Sequence, residues 1–289
     1  MYFSISLVKT VLKVPKHSPE VAYPSNRRRA PGGVISMYLW DYRDLIGNLV
    51  VSDLKIKYAS SVLGFAWSLL NPLMMMIILY LVFNNIYKNN QNNFVLYLLI
   101  GILAWRFFST ATTSALESIV MKQSLVKKIY IPREILVLGV TTSGLISSFL
   151  EFLVLLPLLV ILGVGIYPTI VIFPVVQGLF FLIIYGLSLI LASLYVYFRD
   201  LNQIWEVVIQ LGFFLSPIVY PLSFVPVKYQ GYYLLNPVTR VIGMYREIFL
   251  NGSLPGLYDF LVVLAFVAIL LIVGNLVFGK LSRRFAEEV

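Results

Sequence analysis

The chain has 289 residues, of which 60% are hydrophobic and 12% are charged, and its mean hydropathy is +0.88. A soluble domain averages roughly 45–50% apolar and about 25% charged residues, so this composition excludes a soluble fold and predicts a protein that crosses a membrane several times. The sequence has no cysteine, which excludes disulfides and thiolate sites, and its single histidine, His17, excludes a histidine triad. The net charge is +9, and in a membrane protein such an excess reports orientation before it reports a ligand.

Six stretches are long and apolar enough to cross a bilayer, which takes about 20 residues in a helix. They are Val62–Asn84, Phe94–Ser114, Leu136–Gly163, Thr169–Phe198, Trp205–Phe224 and Tyr258–Lys280. The predicted fold is therefore an all-α polytopic membrane protein with six transmembrane helices. An even number of crossings places both termini on the same side of the membrane.

The basic residues indicate which side that is. Nine of the 22 lie before the first stretch, four in the loop after the second, one after the fourth and three at the C-terminus. The loops of the opposite side carry four, and Arg106 lies within a stretch. Cytoplasmic loops are enriched in Lys and Arg, so we expect both termini in the cytoplasm and a location in the cytoplasmic (inner) membrane. Most of the charge then reflects topology and contact with anionic membrane lipids, and no nucleic-acid partner is expected.

Two segments precede the first crossing. Residues 1–35 contain several prolines and a pair of adjacent glycines and are expected to form a flexible cytoplasmic tail. Residues 36–57 have apolar residues at helical spacing with charged residues largely on the other side, which predicts an amphipathic interface helix. We expect this helix to lie in the headgroup plane beside a transmembrane domain of residues 58–289. Packing on a soluble partner is the alternative.

The largest cytoplasmic loop between crossings spans residues 115–134. It carries Glu117 and the basic residues Lys122, Lys127 and Lys128 beside an apolar ridge, and Pro132 ends its helical pattern. The pattern is typical of a solvated loop helix and, equally, of a docking element for a cytoplasmic subunit.

Residues 216–256 are apolar but contain five of the 14 prolines, so their helical pieces are too short to cross a membrane. Such pieces are typical of re-entrant or interfacial half-helices before the last crossing. Irregular backbone persists at membrane depth only where protein or a water-filled cavity satisfies its polar groups, so we expect this region to border a cavity or gate. An ordinary outer loop is the alternative, and the scarcity of charge argues against it.

No nucleotide or enzymatic site is evident. The residues from Gly274 to Lys280 match the spacing of a phosphate loop, but Leu281 replaces the Ser or Thr that binds magnesium, and no strand is expected before them. The chain is therefore expected to hold no cofactor and no metal, and any ATP and magnesium would belong to a separate subunit. Arg106 and Glu151 are charges within crossings, but their depths of about 12 and 22 Å from the cytoplasmic ends argue against a direct pair.

Small and aromatic residues indicate two further surfaces. Gly139, Ser143 and Ser147 form a stripe that would let another helix pack closely, within the chain or between protomers. Aromatic residues at the first and fifth crossings either pack in the core or line a path for sugars, and these are Phe65, Trp67, Phe213, Phe214 and Tyr220.

Short motifs recur in a fixed order along about residues 36–285. They are Lys57-Tyr58, Ser61-x-Leu63-Gly64-x-x-Trp67 and Pro72, then Gly101-x-x-x-Trp105-x-Phe107-Phe108, then the residues from Leu125 to Pro132, and finally Arg199-Asp200, Ser216-Pro217-Ile218-x-Tyr220, Asn236-Pro237 and Arg246. Together they resemble the permease subunits of type-2 ABC exporters that move polysaccharides such as O-antigen, capsule or teichoic acid. The tail of residues 1–33 is longer than this family needs, so the resemblance assigns it no role.

The resemblance implies a permease that forms a homodimer, pairs with two ATP-binding cassette ATPase subunits and exports a lipid-linked polysaccharide, with O-antigen as the expected cargo. Residues 115–134, with Arg199 and Asp200, would then couple the permease to the ATPase. The first and fifth crossings would line the conduit. Half-helices on the outer side would form a gate, for which the candidate residues are Pro217, Tyr220, Asn236 and Arg246.

Three basic residues near the cytoplasmic side, Arg43, Lys55 and Lys57, could meet the diphosphate of a lipid-linked cargo, and they serve topology equally well. Two other functions stay open at this point. One is a drug or small-lipid exporter permease of the same architecture, and the other is a membrane-embedded transferase acting on lipid-linked sugar. An aromatic conduit favours a polymer, and a transferase would need converging acids or a histidine where only scattered candidates exist.

Overall fold

The computed structural model describes residues 42–59, 64, 66–83, 93–123, 125, 131–282 and 285. Within these ranges every regular element is helical, which confirms the predicted all-α class for this part of the chain. The predicted tail of residues 1–35 and residues 36–41 of the predicted interface helix lie outside the described residues. The α-helices are α1 Arg43–Ala59, α2 Ala66–Phe83, α3 Phe94–Met121, α4 Glu134–Ile161, α5 Phe173–Tyr197, α6 Leu201–Leu215, α7 Val227–Leu234, α8 Pro237–Arg246 and α9 Leu257–Leu281.

Among the described residues, five helical stretches are long and apolar enough to cross a membrane: α2, α3, α4, α9, and Pro168–Tyr197, in which a 3-10 turn leads into α5. They correspond to five of the six predicted crossings. The predicted crossing Trp205–Phe224 is wrong in its extent, because α6 spans only Leu201–Leu215 and Pro217 and Pro221 follow it. A helix of 15 residues is about 22 Å long, which is shorter than the hydrocarbon core of about 30 Å.

The helices α3 and α5 form the centre of the molecule. Most of their apolar length is buried, whereas α2 and α9 are mostly exposed. α3 packs against α2, α4, α5 and α6, and α5 packs against α9. The exposed side chains of α2 and α9 include large apolar residues such as Met74, Ile78 and Leu276. Apolar faces of this size indicate contact with lipid or with another protein.

The helices α5 and α9 touch backbone to backbone where two glycines meet. A Cβ on Gly274 would lie 2.4 Å from the carbonyl oxygen of Gly186, and a Cβ on Gly186 would lie 2.8 Å from the carbonyl group of Leu270. Backbone atoms cannot rotate away as a flexible side chain can, so neither position has room for a methyl group. Small residues at such a contact let transmembrane helices approach closely.

We expect Gly274→Ala to destabilise the protein by roughly 3 kcal/mol, because the added methyl group forces α5 and α9 apart. Thermal unfolding in detergent, followed by tryptophan fluorescence, measures the effect. Gly279→Ala is the matched control, since it lies on the same helix with no atom within 4 Å of the added Cβ. Alanine is the better helix former, so the control should be neutral or slightly stabilising. Equal melting temperatures for the two variants would show that the close contact is not a constraint.

The described part of the predicted interface helix packs on the transmembrane helices. Leu49, Val50 and Leu54 of α1 are buried, and a Cβ on Gly139 of α4 would lie 3.2 Å from Leu49 Cβ. A Cβ on Gly144 would meet Ala111 Cβ of α3 at 3.0 Å. The stripe of small residues on α4 therefore serves packing within the chain, and α1 is docked on protein.

The helix α3 is longer than predicted. It continues without a break to Met121, so the first seven residues of the predicted loop 115–134 belong to the helix. Ala115, Leu116 and Ile119 are buried, which explains the extension, because the apolar ridge assigned to a loop packs against neighbouring helices. The helix α3 therefore ends at Met121, with Lys122 as its C-cap residue.

Candidate functional site

The C-terminal end of α6 is held by a half-buried arginine, Arg246. Beyond Leu215 the helix breaks, which leaves backbone carbonyls without helical partners. Nη1 of Arg246, the last residue of α8, donates to Pro217 O at 2.8 Å, and Nη2 donates to Ile218 O at 3.1 Å. The guanidinium thus satisfies the carbonyls that the break exposes, as irregular backbone at membrane depth requires.

The same guanidinium also fastens this segment to α3. Nη2 of Arg246 donates to Tyr97 O at 3.2 Å, and Cζ lies 3.3 Å from the centroid of the Tyr97 ring. A Cβ on Gly101, one turn further along α3, would lie 3.0 Å from Nη2, so glycine leaves room for the cation. Three of the motifs found in the sequence therefore meet here. They are the motif that begins at Gly101, the motif that begins at Ser216, and the single residue Arg246.

The remaining gate candidates join this arrangement. Asn236 Nδ2 donates to Ser216 Oγ at 3.1 Å, and Asn236 Oδ1 accepts from the backbone N–H of Val238, which caps α8. The hydroxyl of Tyr220 donates to Phe214 O at 2.8 Å, and the Tyr97 hydroxyl donates to Tyr220 O at 3.2 Å. All four candidates, Pro217, Tyr220, Asn236 and Arg246, therefore lie in one hydrogen-bonded assembly between α3, α6 and α8. We call it the outer assembly, after the side of the membrane that the sequence predicts for it.

Two residues of this region were missed at the level of sequence. Tyr97 supplies three of the contacts described above. Arg240 of α8 forms an ion pair with Asp259 of α9, and its Nε donates to Leu234 O at 2.6 Å. Arg240 is buried although it lies in the apolar outer region, and a buried charge indicates a partner. A charged residue within an apolar segment is visible in the sequence and could have identified Arg240. Nothing in the sequence distinguishes Tyr97 from the other tyrosines.

A buried ion pair lies within the crossings. Arg106 Nε of α3 donates to Glu151 Oε1 of α4 at 3.2 Å, and the two side chains are 21% and 4% exposed. The expectation that these residues are not a direct pair was therefore wrong. The depth of Arg106 was estimated with Ser114 as the end of the second crossing. The helix α3 instead continues to Met121, which adds about 10 Å to that depth at 1.5 Å per residue.

Polar contacts connect this pair to α1. Tyr58 OH donates to Ser147 Oγ at 2.9 Å, and Lys57 Nζ lies within hydrogen-bond distance of the same oxygen at 3.4 Å. Ser147 precedes Glu151 by one turn of α4, so both face the same neighbours. A line of polar groups therefore runs from α1 to the ion pair.

The coupling candidates lie in the part of the chain that the sequence predicts to face the cytoplasm. Lys122 Nζ forms an ion pair with Asp53 of α1 at 3.0 Å, and both side chains are mostly buried. Glu117 is half-buried on α3, whereas Arg199 and Asp200 are exposed in the turn between α5 and α6. Lys127 and Lys128 lie outside the described residues. The structure thus joins Lys122 to the predicted interface helix rather than leaving it in a solvated loop.

We expect charge reversal at Asp53 or Lys122 to destabilise the protein by about 1–3 kcal/mol, because two like charges would face each other at a largely buried contact. The double variant Asp53→Lys/Lys122→Asp should recover most of that loss. Thermal unfolding of the single and double variants measures the recovery. If stability returns in the double variant but stimulation of a partner ATPase does not, Lys122 also contacts the partner. If stability fails to return, the pair contributes nothing to docking α1.

The conduit candidates divide into two groups. Trp67 on α2 and Phe214 on α6 are 55% and 68% exposed and offer aromatic faces to the surroundings. Phe213 is 8% exposed and packs edge-on against Trp105 of α3, so it belongs to the hydrophobic core of the protomer. Tyr220 is half-buried in the outer assembly, and Phe65 lies outside the described residues.

The three candidates for a lipid diphosphate lie on α1. Arg43 and Asp44 are exposed neighbours with 3.8 Å between Nε and Oδ1. Lys55 and Lys57 are exposed, and the contact of Lys57 with Ser147 places it beside α4. Since Ser147 is buried, Lys57 is the candidate nearest to the protein interior.

Comparison with known proteins identifies relatives that match most of this chain. Residues 45–250 match the family model described as ABC-2 type transporter. The chain is 32% identical over 259 residues to the O-antigen export system permease protein RfbA of Klebsiella pneumoniae, covering 86% of this chain and 95% of that protein. It is 32% identical over 257 residues to the protein of the same name from Myxococcus xanthus, covering 87% and 97%. The polysialic acid transport protein KpsM of Escherichia coli is 22% identical over 228 residues, covering 71% and 80%.

These relatives confirm the resemblance drawn from the motifs. The matched range includes most of α1 and the outer assembly, with the Asp53–Lys122 and Arg106–Glu151 ion pairs. The chain belongs to the ABC-2 type transporter family.

Proposed function

We propose that this chain is the transmembrane permease subunit of an ATP-driven exporter that moves lipid-linked polysaccharide, with O-antigen as the cargo, across the cytoplasmic membrane. The observation that carries the proposal is the 32% identity to permeases named for O-antigen export, along nearly their whole length. The polysialic acid transport protein matches at 22% identity and over a smaller share of each chain, which favours O-antigen over capsule.

Depletion of the chain in its own cells tests this function. We expect polymer linked to its lipid carrier to accumulate on the cytoplasmic side while surface polysaccharide disappears. Purification of the chain in mild detergent should also recover an ATPase subunit. Normal surface polysaccharide after depletion would contradict the proposed cargo, and the absence of any ATPase in the purified complex would count against the whole class of exporter.

In the proposed topology α6 and the segment after it complete a sixth crossing. α6 spans about 22 Å, and the irregular residues held by Arg246 continue from its end. On this arrangement α7 and α8 are half-helices on the outer side, the turn at residues 199–200 is cytoplasmic, and both termini are cytoplasmic. The distribution of basic residues supports this orientation.

Cysteine labelling tests this topology without background, because the chain has no cysteine of its own. We expect Lys228→Cys on α7 to react with a membrane-impermeant maleimide in intact cells. Asp200→Cys should react only after permeabilisation. Both residues are exposed, so access to the reagent depends on the side of the membrane. Reaction of both positions from the same side would mean that α6 does not complete a crossing.

The proposed assembly contains two copies of the chain and two ATPase subunits. The exposed apolar faces of α2 and α6, which carry Trp67 and Phe214, would face a conduit between the copies. Flat aromatic faces suit a polysaccharide because they contact the apolar faces of sugar rings while tolerating different sugars. ATP and magnesium would be bound by the partner subunits.

The cytoplasmic edge of the chain would transmit the action of the ATPase. α1, the end of α3 at Lys122 and the turn at Arg199 and Asp200 are the described elements nearest that edge. Since Asp53 and Lys122 join α1 to α3, a push on either element would reach the other. The outer assembly would form the closed gate at the opposite end.

A further inference from the structure

An open cleft lies next to the outer assembly, between α7 and the segment that leads into it. Its volume is about 450 Å³. Seven residues line it, and five of them are aromatic: Tyr220, Phe224, Tyr229, Tyr232 and Tyr233. No Lys, Arg, Asp or Glu is among the lining residues. An open surface of clustered aromatic rings with a few hydroxyl groups offers apolar ring faces and hydrogen-bonding groups together, which suits an amphipathic organic ligand.

The walls of this cleft are fixed by hydrogen bonds. The side-chain amide of Gln230, on α7, donates to Val225 O at 2.9 Å and to Leu222 O at 3.3 Å, which ties α7 to the opposite wall. The ring of Tyr220 packs edge-on against Tyr233, with 6.5 Å between the centroids. The cleft therefore does not depend on flexible surface side chains for its shape.

The aromatic rings of α7 converge on the cleft. Tyr229, Tyr232 and Tyr233 occupy positions i, i+3 and i+4, which lie on one face of a helix. Tyr232 is 72% exposed, and Tyr229 and Phe224 are about half exposed, so ring surface is open to a ligand. Lys228 Nζ lies 5.8 Å from the centroid of the Tyr229 ring and places a positive charge at the rim.

We propose that this aromatic cleft is an outer saccharide-binding site, which takes a short stretch of the exported polymer as it leaves the protein. The inference rests on the proposed function and adds to it a site that lies beyond the predicted conduit. Tyrosine suits this ligand because its ring offers a rigid apolar face and its hydroxyl can bond to a sugar hydroxyl. Tyr220 connects the cleft to the conduit candidates, since its hydroxyl bonds to Phe214 O at the exposed end of α6.

Membrane lipid is the competing ligand, because tyrosines also form belts at the edges of membrane proteins. A belt spreads its aromatic residues around the perimeter, each on a convex surface. The tyrosines of α7 instead share one helix face that lines a single cleft together with Tyr220 and Phe224, and the Gln230 amide ties α7 to Val225. The arrangement therefore favours a saccharide that enters the cleft over a lipid that passes along the outside.

Site-specific photo-crosslinking in cells distinguishes the two ligands. Tyr232 is replaced by benzoylphenylalanine in the full chain, expressed with its ATPase partner in cells that make the polymer. The matched control places the same probe at Tyr258, which is 70% exposed at the start of α9 and does not line the cleft. After illumination we expect a carbohydrate-positive adduct, larger than the free chain, at position 232 and at least fivefold less of it at position 258.

Phospholipid adducts alone at position 232 would overturn the proposal, as would equal carbohydrate adducts at both positions. A protein adduct without carbohydrate, or no adduct at position 232, would overturn it too. Cells in which depletion of the chain leaves surface polysaccharide unchanged would instead refute the proposed function, so the two failures are distinguishable.

A pair of variants separates the ring faces from the stability of the fold. Tyr229→Leu/Tyr232→Leu keeps apolar bulk but removes the flat rings, and Tyr229→Phe/Tyr232→Phe keeps the rings. We expect the leucine variant to export polymer about fivefold more slowly with an unchanged melting temperature. The phenylalanine variant should be slowed less, by about twofold, because it keeps the rings and loses only the hydroxyl groups. Equal export rates for the two variants would contradict stacking on the rings.

Discussion

Replacement of Arg246 by methionine is expected to lower the melting temperature of the purified protein on the order of 10 °C and to abolish export. The guanidinium donates to the backbone carbonyls of Pro217, Ile218 and Tyr97. Methionine fills similar space but donates nothing, and each buried acceptor left without a partner costs about 1–3 kcal/mol. A combined loss of roughly 3–5 kcal/mol corresponds to a shift of that order in a chain of this size.

Two control variants distinguish the loss of the three hydrogen bonds of Arg246 from the loss of its positive charge. Lys228→Met removes a positive charge from the same outer region, but Lys228 is exposed on α7, so its melting temperature should change by less than about 2 °C. Arg246→Lys keeps the charge but cannot reproduce the planar fork that reaches carbonyls on two segments, so it should recover only part of the stability. A normal melting temperature for Arg246→Met would show that the outer assembly does not depend on these bonds.

Part of this architecture could be predicted from the sequence, because hydropathy reports burial in lipid directly. Five crossings were found in that way, and the positions of the outer motifs indicated an irregular region before the last crossing. The end of α6 was missed, because Ile218 and Val219 are as apolar as a helix that crosses the membrane, although they lie in the buried break. Proline placement was the better signal, since Pro217 and Pro221 follow the end of the helix closely.

Contacts between distant parts of the chain were the least predictable feature. Arg246 and Tyr97 are 149 residues apart, and no periodic pattern links them. Arg106 and Glu151 were each identified as charges within crossings, but the estimate of their depths depended on helix ends that the sequence places poorly. An error of seven residues at the end of α3 was enough to separate two side chains that form an ion pair.

The Arg106–Glu151 pair supplies the second large effect. We expect Arg106→Met to destabilise the protein by about 3–5 kcal/mol, because it leaves Glu151, which is only 4% exposed, as a buried charge without its partner. Glu151→Leu should cost less, since Arg106 is 21% exposed and its long side chain can carry the charge towards a more polar region. Export should fall with stability in both variants, because α3 and α4 pack at this point.

A double-mutant cycle decides whether the two residues act as a pair. Arg106→Met/Glu151→Leu removes both charges at once, so it should be more stable than Arg106→Met alone, with a coupling energy of about 1–3 kcal/mol. Glu206→Leu is the matched control, because Glu206 is an exposed acid on α6 and its loss should be nearly neutral. Additive losses in the cycle would mean that each charge is stabilised separately. A coupled cycle with export still absent in the double variant would mean that the pair serves transport beyond its part in holding α3 and α4 together.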